Sequence, residues 1–210
     1  IRIIKEISLH TKKRSIIASS SSGLLPSKIQ SKAKHPERVL IAHPFNPVYL
    51  LPLVEIVPGK KTAKVNILAA NKFYTKIGMK TLILKKELPG YLSDRLQESM
   101  WRESLHIINE GFASTKDLDE AIIYGPGLRW SLMGTFLTFH LAGGEMGMKH
   151  MLEQFGPALK LPWTKLKAPK LTNSLKKKII EGTKMQSKNK SISNLANQRD
   201  NFLIDLQKLL

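Results

Sequence analysis

Two residues in this chain have the types and spacing to do proton chemistry. His43 lies in His43-Pro44-Phe45-Asn46-Pro47, and Glu55 closes the nearby Pro52-Leu53-Val54-Glu55. Pro44 and Pro47 fix their own φ and push the residue before each of them out of the helical region. His43 and Asn46 are therefore held extended and presented. Residues 50–57 form an apolar run that suits a buried strand, which would carry Glu55 back beside His43. An imidazole oriented by a carboxylate is a competent general base near neutral pH. A histidine merely satisfied within a proline-rich loop is the alternative, and these residues alone leave it open.

The elements that must position this pair read as follows. Ile3, Ile4 and Ile7 at helical spacing make residues 1–9 the end of a helix. Residues 15–19 read as a short buried strand that ends in Ser19-Ser20-Ser21-Ser22-Gly23. Small hydroxyl residues there allow the backbone to approach a ligand, and open α/β sheets bind ligands at that end of their strands. A short helix begins at Pro26. The run Val39, Leu40, Ile41 is a second buried strand, and it delivers His43 to the same edge as the serines. A helix over 62–77, stopped by Gly78, and a strand over 80–84 complete an α/β pattern.

After Glu87 the texture becomes helical. Residues 89–110 read as one long helix with Leu92, Leu96, Met100, Leu105 and Ile108 on one face and Gly111 as its stop. Ser114 and Asp117 form a capping box for a helix over 118–124. Gly125-Pro126-Gly127 breaks that helix, and an apolar, aromatic stretch covers 130–148. Further helices are expected over 172–184 and 191–210, the last with Leu195, Phe202, Leu206 and Leu209 on one side. The expected fold is α/β over 1–87 followed by an all-α domain over 88–210.

Composition narrows the function. The chain has 34 Lys plus Arg against 16 Asp plus Glu, a formal net charge of +18. The excess is mostly scattered Lys, dense only at Lys12-Lys13-Arg14 and Lys176-Lys177-Lys178. No Arg-rich helix and no zinc pattern accompanies it, so a solvated basic surface is expected rather than a nucleic-acid partner. A positive field also favours an anionic substrate or cofactor. Cysteine is absent, which excludes disulfides, thiolate metal sites and Cys nucleophiles and fits a reducing cytosol. No metal site is expected. No apolar run is long enough to cross a bilayer, and a cytoplasmic location is expected.

Taken in order, Ser19 to Leu24, His43-Pro44-Phe45-Asn46-Pro47, Leu53-Val54-Glu55 and Pro89-Gly90-Tyr91 resemble the L-3-hydroxyacyl-CoA dehydrogenase superfamily. Downstream, Gly127-Leu128-Arg129-Trp130-Ser131, Met133-Gly134-Thr135-Phe136, Gly143-Gly144-Glu145, Gln154-Phe155-Gly156-Pro157 and Pro162-Trp163-Thr164-Lys165-Leu166 resemble the branch that acts on L-carnitine. The resemblance implies a partial Rossmann-type sheet, a helical domain that binds substrate and joins a homodimer, and hydride transfer from the 3-hydroxyl of L-carnitine to NAD, giving 3-dehydrocarnitine. It implies that His43 removes the hydroxyl proton and Glu55 holds the histidine tautomer. Ser22 aligns with a serine that bonds the reacting oxygen or the nicotinamide, and Ser20 and Asn46 fall on the cofactor side. An L-3-hydroxyacyl-CoA or L-gulonate substrate stays open, as does a catalytically silent basic scaffold.

Two departures stand out. Asp94 replaces the Asn that contacts substrate in the acyl-CoA branch, which disfavours an acyl-CoA and offers a partner for a quaternary ammonium; a structural contact with Arg95 is the alternative. A methylated ammonium is also held by aromatic faces, for which Trp130, Phe136 and Phe139 are candidates, with Tyr49 and Trp101 behind them. Arg129, then Arg95, would meet the substrate's carboxylate. The second departure is that Gly-x-Gly-x-x-Gly, which lets a backbone approach a pyrophosphate, occurs nowhere in the 210 residues. The expectation is a truncated chain that does not by itself bind NAD with the affinity typical of the family.

Overall fold

A computed structural model describes residues 1–131, 133–165, 170, 172–175, 177, 180, 181 and 192–208. The chain divides into two compact units, Ile1–Glu98 with Ala196–Leu210, and Ser99–Leu195.

The first unit is built on a four-stranded sheet of order β1-β2-β3-β4. Its strands are β1 (Ile17–Ser19), β2 (Val39–Pro44), β3 (Leu53–Pro58) and β4 (Lys80–Ile83). β1 pairs with β2, and β3 with β4, in parallel; β2 and β3 run antiparallel. The connection between β2 and β3 is a short turn with no crossover helix, and a turn of that length can join only antiparallel neighbours. Helices α1 (Arg2–His10), α2 (Pro26–Ile29) and α3 (Lys64–Lys76) join the sheet.

β2 and β3 are buried on both faces, which is why they read as near-continuous apolar runs. Side chains alternate between faces. Val39, Ile41 and Val57 pack with Ile17, Ile29, Leu84 and Tyr91 on one face, while Leu40, Ala42, Val54 and Ile56 pack with Ala70 on the other. Each fully buried aliphatic residue contributes roughly 1.5–3 kcal/mol. The same alternation puts His43 and Glu55 on the Tyr91 face.

The opposite end of the sheet is clamped by polar groups. Buried Gln30 donates to Pro36 O at 2.7 Å and accepts from the Lys61 N–H at 3.1 Å. The Thr62 hydroxyl donates to Val39 O at 2.6 Å and accepts from the Gly59 N–H at 2.9 Å. A Cβ on Gly59 would collide with the Gln30 amide. Gly59→Ala is therefore expected to lower stability by about 1–3 kcal/mol through overpacking, read as a lower urea midpoint with an unchanged m-value. Glu87 fixes α2 in a similar way, accepting from the Ser27 N–H at 3.0 Å and the Ser27 hydroxyl at 2.7 Å.

Helix α4 (Ser93–Glu110) begins four residues later than the apolar spacing predicts. Gly90 at φ +76° and Tyr91 at φ +49° are left-handed, and a helix cannot propagate through them. Its end is as expected: Gly111 has φ +79°, with Gly111 N–H bonded to Ile108 O and Phe112 N–H to Ile107 O.

The second unit contains α5 (Thr115–Ile123), α6 (Pro126–Trp130), α7 (Thr135–Ala142) and α8 (Met148–Phe155). The expected capping box opens α5, with Ser114 accepting from the Asp117 N–H and Asp117 from the Ser114 N–H. Hydrogen bonds from Ser114 hold the Asp117 carboxyl below its usual range. The Gly-Pro-Gly break is also the start of α6, because Pro126 is pre-set for a first helical turn.

Within the helix expected over 172–184, residues 173–175, 177, 180 and 181 are helical, residue 172 precedes the helix, and the others lie outside the described residues, as do the side chains of Leu195 and Leu209. The C-terminal helix is Ile192–Gln207, with Phe202 exposed. Among the described residues no helix is long and apolar enough to cross a membrane.

Candidate active site

The site begins with strand register. His43 on β2 stands directly opposite Glu55 on β3, and its Nδ1 lies 3.0 Å from Glu55 Oε2. Both are buried, Glu55 completely. The other carboxylate oxygen, Oε1, accepts from the N–H groups of Leu92 and Ser93, each at 3.0 Å. These amides lie at the start of α4, where unpaired N–H groups and the helix dipole favour an anion. A carboxylate only accepts, so His43 Nδ1–H donates to it and the lone pair is left on Nε2.

The Nε2 side is built by the neighbouring strand. β1 runs parallel to β2, so the carboxyl ends of both open on one edge. The serine segment after β1 turns there, with Ser19 and Ser21 hydroxyls 2.9 Å apart, and brings Ser22 Oγ to 3.0 Å from His43 Nε2. Asp94, in the first turn of α4, places Oδ2 3.7 Å from the same nitrogen with its side chain 35% exposed. Tyr91 is fully buried against His43, ring centroids 5.2 Å apart. Burial, then the charges of Glu55 and Asp94, push its hydroxyl up to about 12, so it keeps its proton through the neutral range. Among the described residues no group of His, Cys, Asp and Glu could hold a metal ion.

Geometry alone permits two uses for the Ser22–His43–Glu55 chain. The imidazole can activate Ser22 as a nucleophile, or it can take a proton from a bound hydroxyl compound that Ser22 helps to hold. Comparison with known proteins identifies the family. Residues 1–88 match the 3-hydroxyacyl-CoA dehydrogenase NAD binding domain, and residues 90–185 match the 3-hydroxyacyl-CoA dehydrogenase C-terminal domain. An L-carnitine dehydrogenase of Oceanobacillus iheyensis is 51% identical over 208 residues, covering 99% of this chain and 68% of the relative. The chain belongs to the 3-hydroxyacyl-CoA dehydrogenase family.

An L-carnitine dehydrogenase of Bacillus cereus is 57% identical over 209 residues, covering 100% of this chain and 64% of the relative. The chain thus spans about two thirds of the length of the curated relatives it matches. The crystal structure of an FHMPC 5-dehydrogenase, described as an NAD+ dependent dismutase, shares the fold. It has a TM-score of 0.79 at 20% identity, covering 99% of this chain and 68% of that one. The α/β sheet followed by a helical C-terminal part is the architecture of the 3-hydroxyacyl-CoA dehydrogenase family.

For this 3-hydroxyacyl-CoA dehydrogenase family member, the structure brings together His43, Glu55, Ser22 and Asp94. Asp94 faces His43, and among the described residues it has no ion pair with Arg95. Ser20, after β1, and Asn46, after β2, are exposed on the same sheet edge without bonding to those four. Arg129, Trp130 and Phe136 belong to the second unit, the first two in the last turn of α6 and Phe136, strongly exposed, in the first turn of α7. The sequence reading did not assign roles to Tyr91 or to the Leu92 and Ser93 amides. Their signal was present: Pro89-Gly90 is a turn dipeptide, and moving the helix start past it puts an N-terminus beside Glu55.

Proposed function

We propose that the intact protein is an NAD-dependent dehydrogenase that oxidises the 3-hydroxyl of L-carnitine to the ketone, 3-dehydrocarnitine. The observation that supports it best is His43 held at 3.0 Å by both Glu55 and Ser22, in a chain more than half identical to proteins named L-carnitine dehydrogenase. In this reading residues 1–87 belong to the cofactor domain, and residues 88–210 bind substrate and join a homodimer in the cytoplasm.

His43 Nε2 takes the hydroxyl proton as C3 gives up its hydride, and the O–H bonding pair becomes the second C–O bond. Glu55 keeps Nδ1–H pointed at itself and balances the imidazolium that forms. Ser22 donates to the substrate oxygen and fixes it against Nε2. NAD, when bound, supplies the hydride acceptor. Ser20 and Asn46 are short, polar and exposed at the sheet's carboxyl edge, which fits contact with the nicotinamide end.

Carnitine carries its trimethylammonium on the carbon next to the carbinol carbon. A base that touches the hydroxyl therefore has the cation close by, and Asp94 beside Nε2 is its counter-charge. Trp130 and Phe136 offer ring faces to the methyl groups, and Arg129 offers a cation to the carboxylate. Asp94→Asn is expected to raise KM for L-carnitine about fivefold with little change in kcat, on the scale of a half-exposed ion pair; steady-state kinetics check this. The function itself is tested by NAD reduction with L-carnitine, an L-3-hydroxyacyl-CoA and L-gulonate. Turnover of L-carnitine well above the other two is expected, and preference for either of them would overturn the substrate assignment.

A further inference from the structure

The segment between β4 and α4, with the first residue of α4, contacts His43 and Glu55 directly and the stretch that carries Ser22. The Tyr91 ring packs on His43, the next two backbone amides hold Glu55, and the Tyr91 hydroxyl is shared between the carbonyls of Ser21 and Leu24, each at 2.8 Å. Those carbonyls bracket Ser22. Among the described residues, the other side-chain hydrogen bonds of residues 20–24 are the local pair between Ser19 and Ser21 and the Ser22–His43 bond itself. Gly23, at φ +76°, leaves the segment without regular structure of its own. Among the described residues, no backbone hydrogen bond of a turn, loop or cap reaches residues 20–24. The φ of +49° at Tyr91 is unusual for a bulky residue, and its full burial fixes where the hydroxyl points.

We infer that Tyr91 is a positioning residue: its hydroxyl latches the serine segment so that Ser22 stays within hydrogen-bond reach of His43. The role rests on the dehydrogenase reading above, in which Ser22 orients the reacting oxygen, and misplacement of such a group costs rate. Burial, then the charges of Glu55 and Asp94, push the hydroxyl's pKa up, so the latch keeps its donor proton through the neutral range.

Tyr91→Phe keeps the ring against His43 and removes only the latch. Two readouts on the intact protein test it. Amide hydrogen exchange over residues 20–24 should become roughly tenfold faster, as expected for local opening, with β2 and β3 unchanged. kcat/KM for L-carnitine should fall about tenfold in the wild-type background but less than twofold when Ser22 is already alanine, since coupled residues are non-additive. Unchanged exchange over 20–24, or an equal loss in both backgrounds, overturns the latch. Faster loop exchange in a protein whose wild type does not oxidise L-carnitine sustains the latch and sinks the substrate reading. Should Tyr91→Phe not fold, 3-fluorotyrosine at this position keeps the test open, because a more acidic phenol in the latch must make exchange over 20–24 steepen with pH earlier than in wild type, and an unshifted profile overturns the proposal.

Discussion

Replacing His43 with alanine is expected to lower kcat for L-carnitine oxidation by roughly a thousandfold, within the range that a positioned general base supplies. An alcohol gives up hydride readily only as its oxygen loses a proton. His43 Nε2 is an acceptor whose neighbours, Ser22 at 3.0 Å and Asp94 at 3.7 Å, also define where that oxygen sits. Steady-state rates with saturating NAD read the loss. The sheet should survive, because His43 lies near the carboxyl end of β2 and the aliphatic members of the two apolar clusters pack without it. A variant retaining a tenth of the wild-type rate would remove His43 as the base.

The second large effect is expected at Glu55, and it should appear in rate and stability together. Glu55→Gln preserves size, but the amide can accept on one atom only. If its oxygen keeps the Leu92 and Ser93 amides, its NH2 faces Nδ1, and the imidazole must present a lone pair there. The proton then moves to Nε2, and the base has the wrong tautomer. A fall in kcat of about a hundred- to a thousandfold follows. If the amide flips instead, two helix N–H groups lose their acceptor in a fully buried setting, at about 1–3 kcal/mol. Thermal unfolding beside the kinetics separates the two outcomes. Activity within a few-fold of wild type, with an unchanged melting temperature, would contradict the pairing.

Much of this site was readable because it depends on local rules. Pro44 and Pro47 mark where β2 must stop, and the apolar run of residues 50–57 calls for a strand returning beside it. Together they put Glu55 next to His43 without any long-range information. The serine segment was legible for a similar reason, since parallel strands open on a common edge. What escaped was set by contacts distant in sequence. Asp94 stood out in the sequence as a partner for a quaternary ammonium or for Arg95, but its approach to His43 did not; only the placement of α4 turns it there. Tyr91 fell inside the helix expected over 89–110, because periodicity carries no mark for a left-handed residue whose hydroxyl reaches Ser21 and Leu24.

The antiparallel pairing of β2 with β3 also constrains how this protein can vary. Opposite His43 stands Glu55, flanked by Val54 and Ile56, whose side chains point to the other face of the sheet. Deleting or inserting one residue in the turn over 45–52, with the ladder slipping to match, would exchange parity. An aliphatic group would meet the imidazole, and a carboxylate would enter an apolar cluster. Changes of two residues preserve the face; changes of one do not. The turn's length is thus as much a part of the proton-transfer apparatus as the side chains it connects.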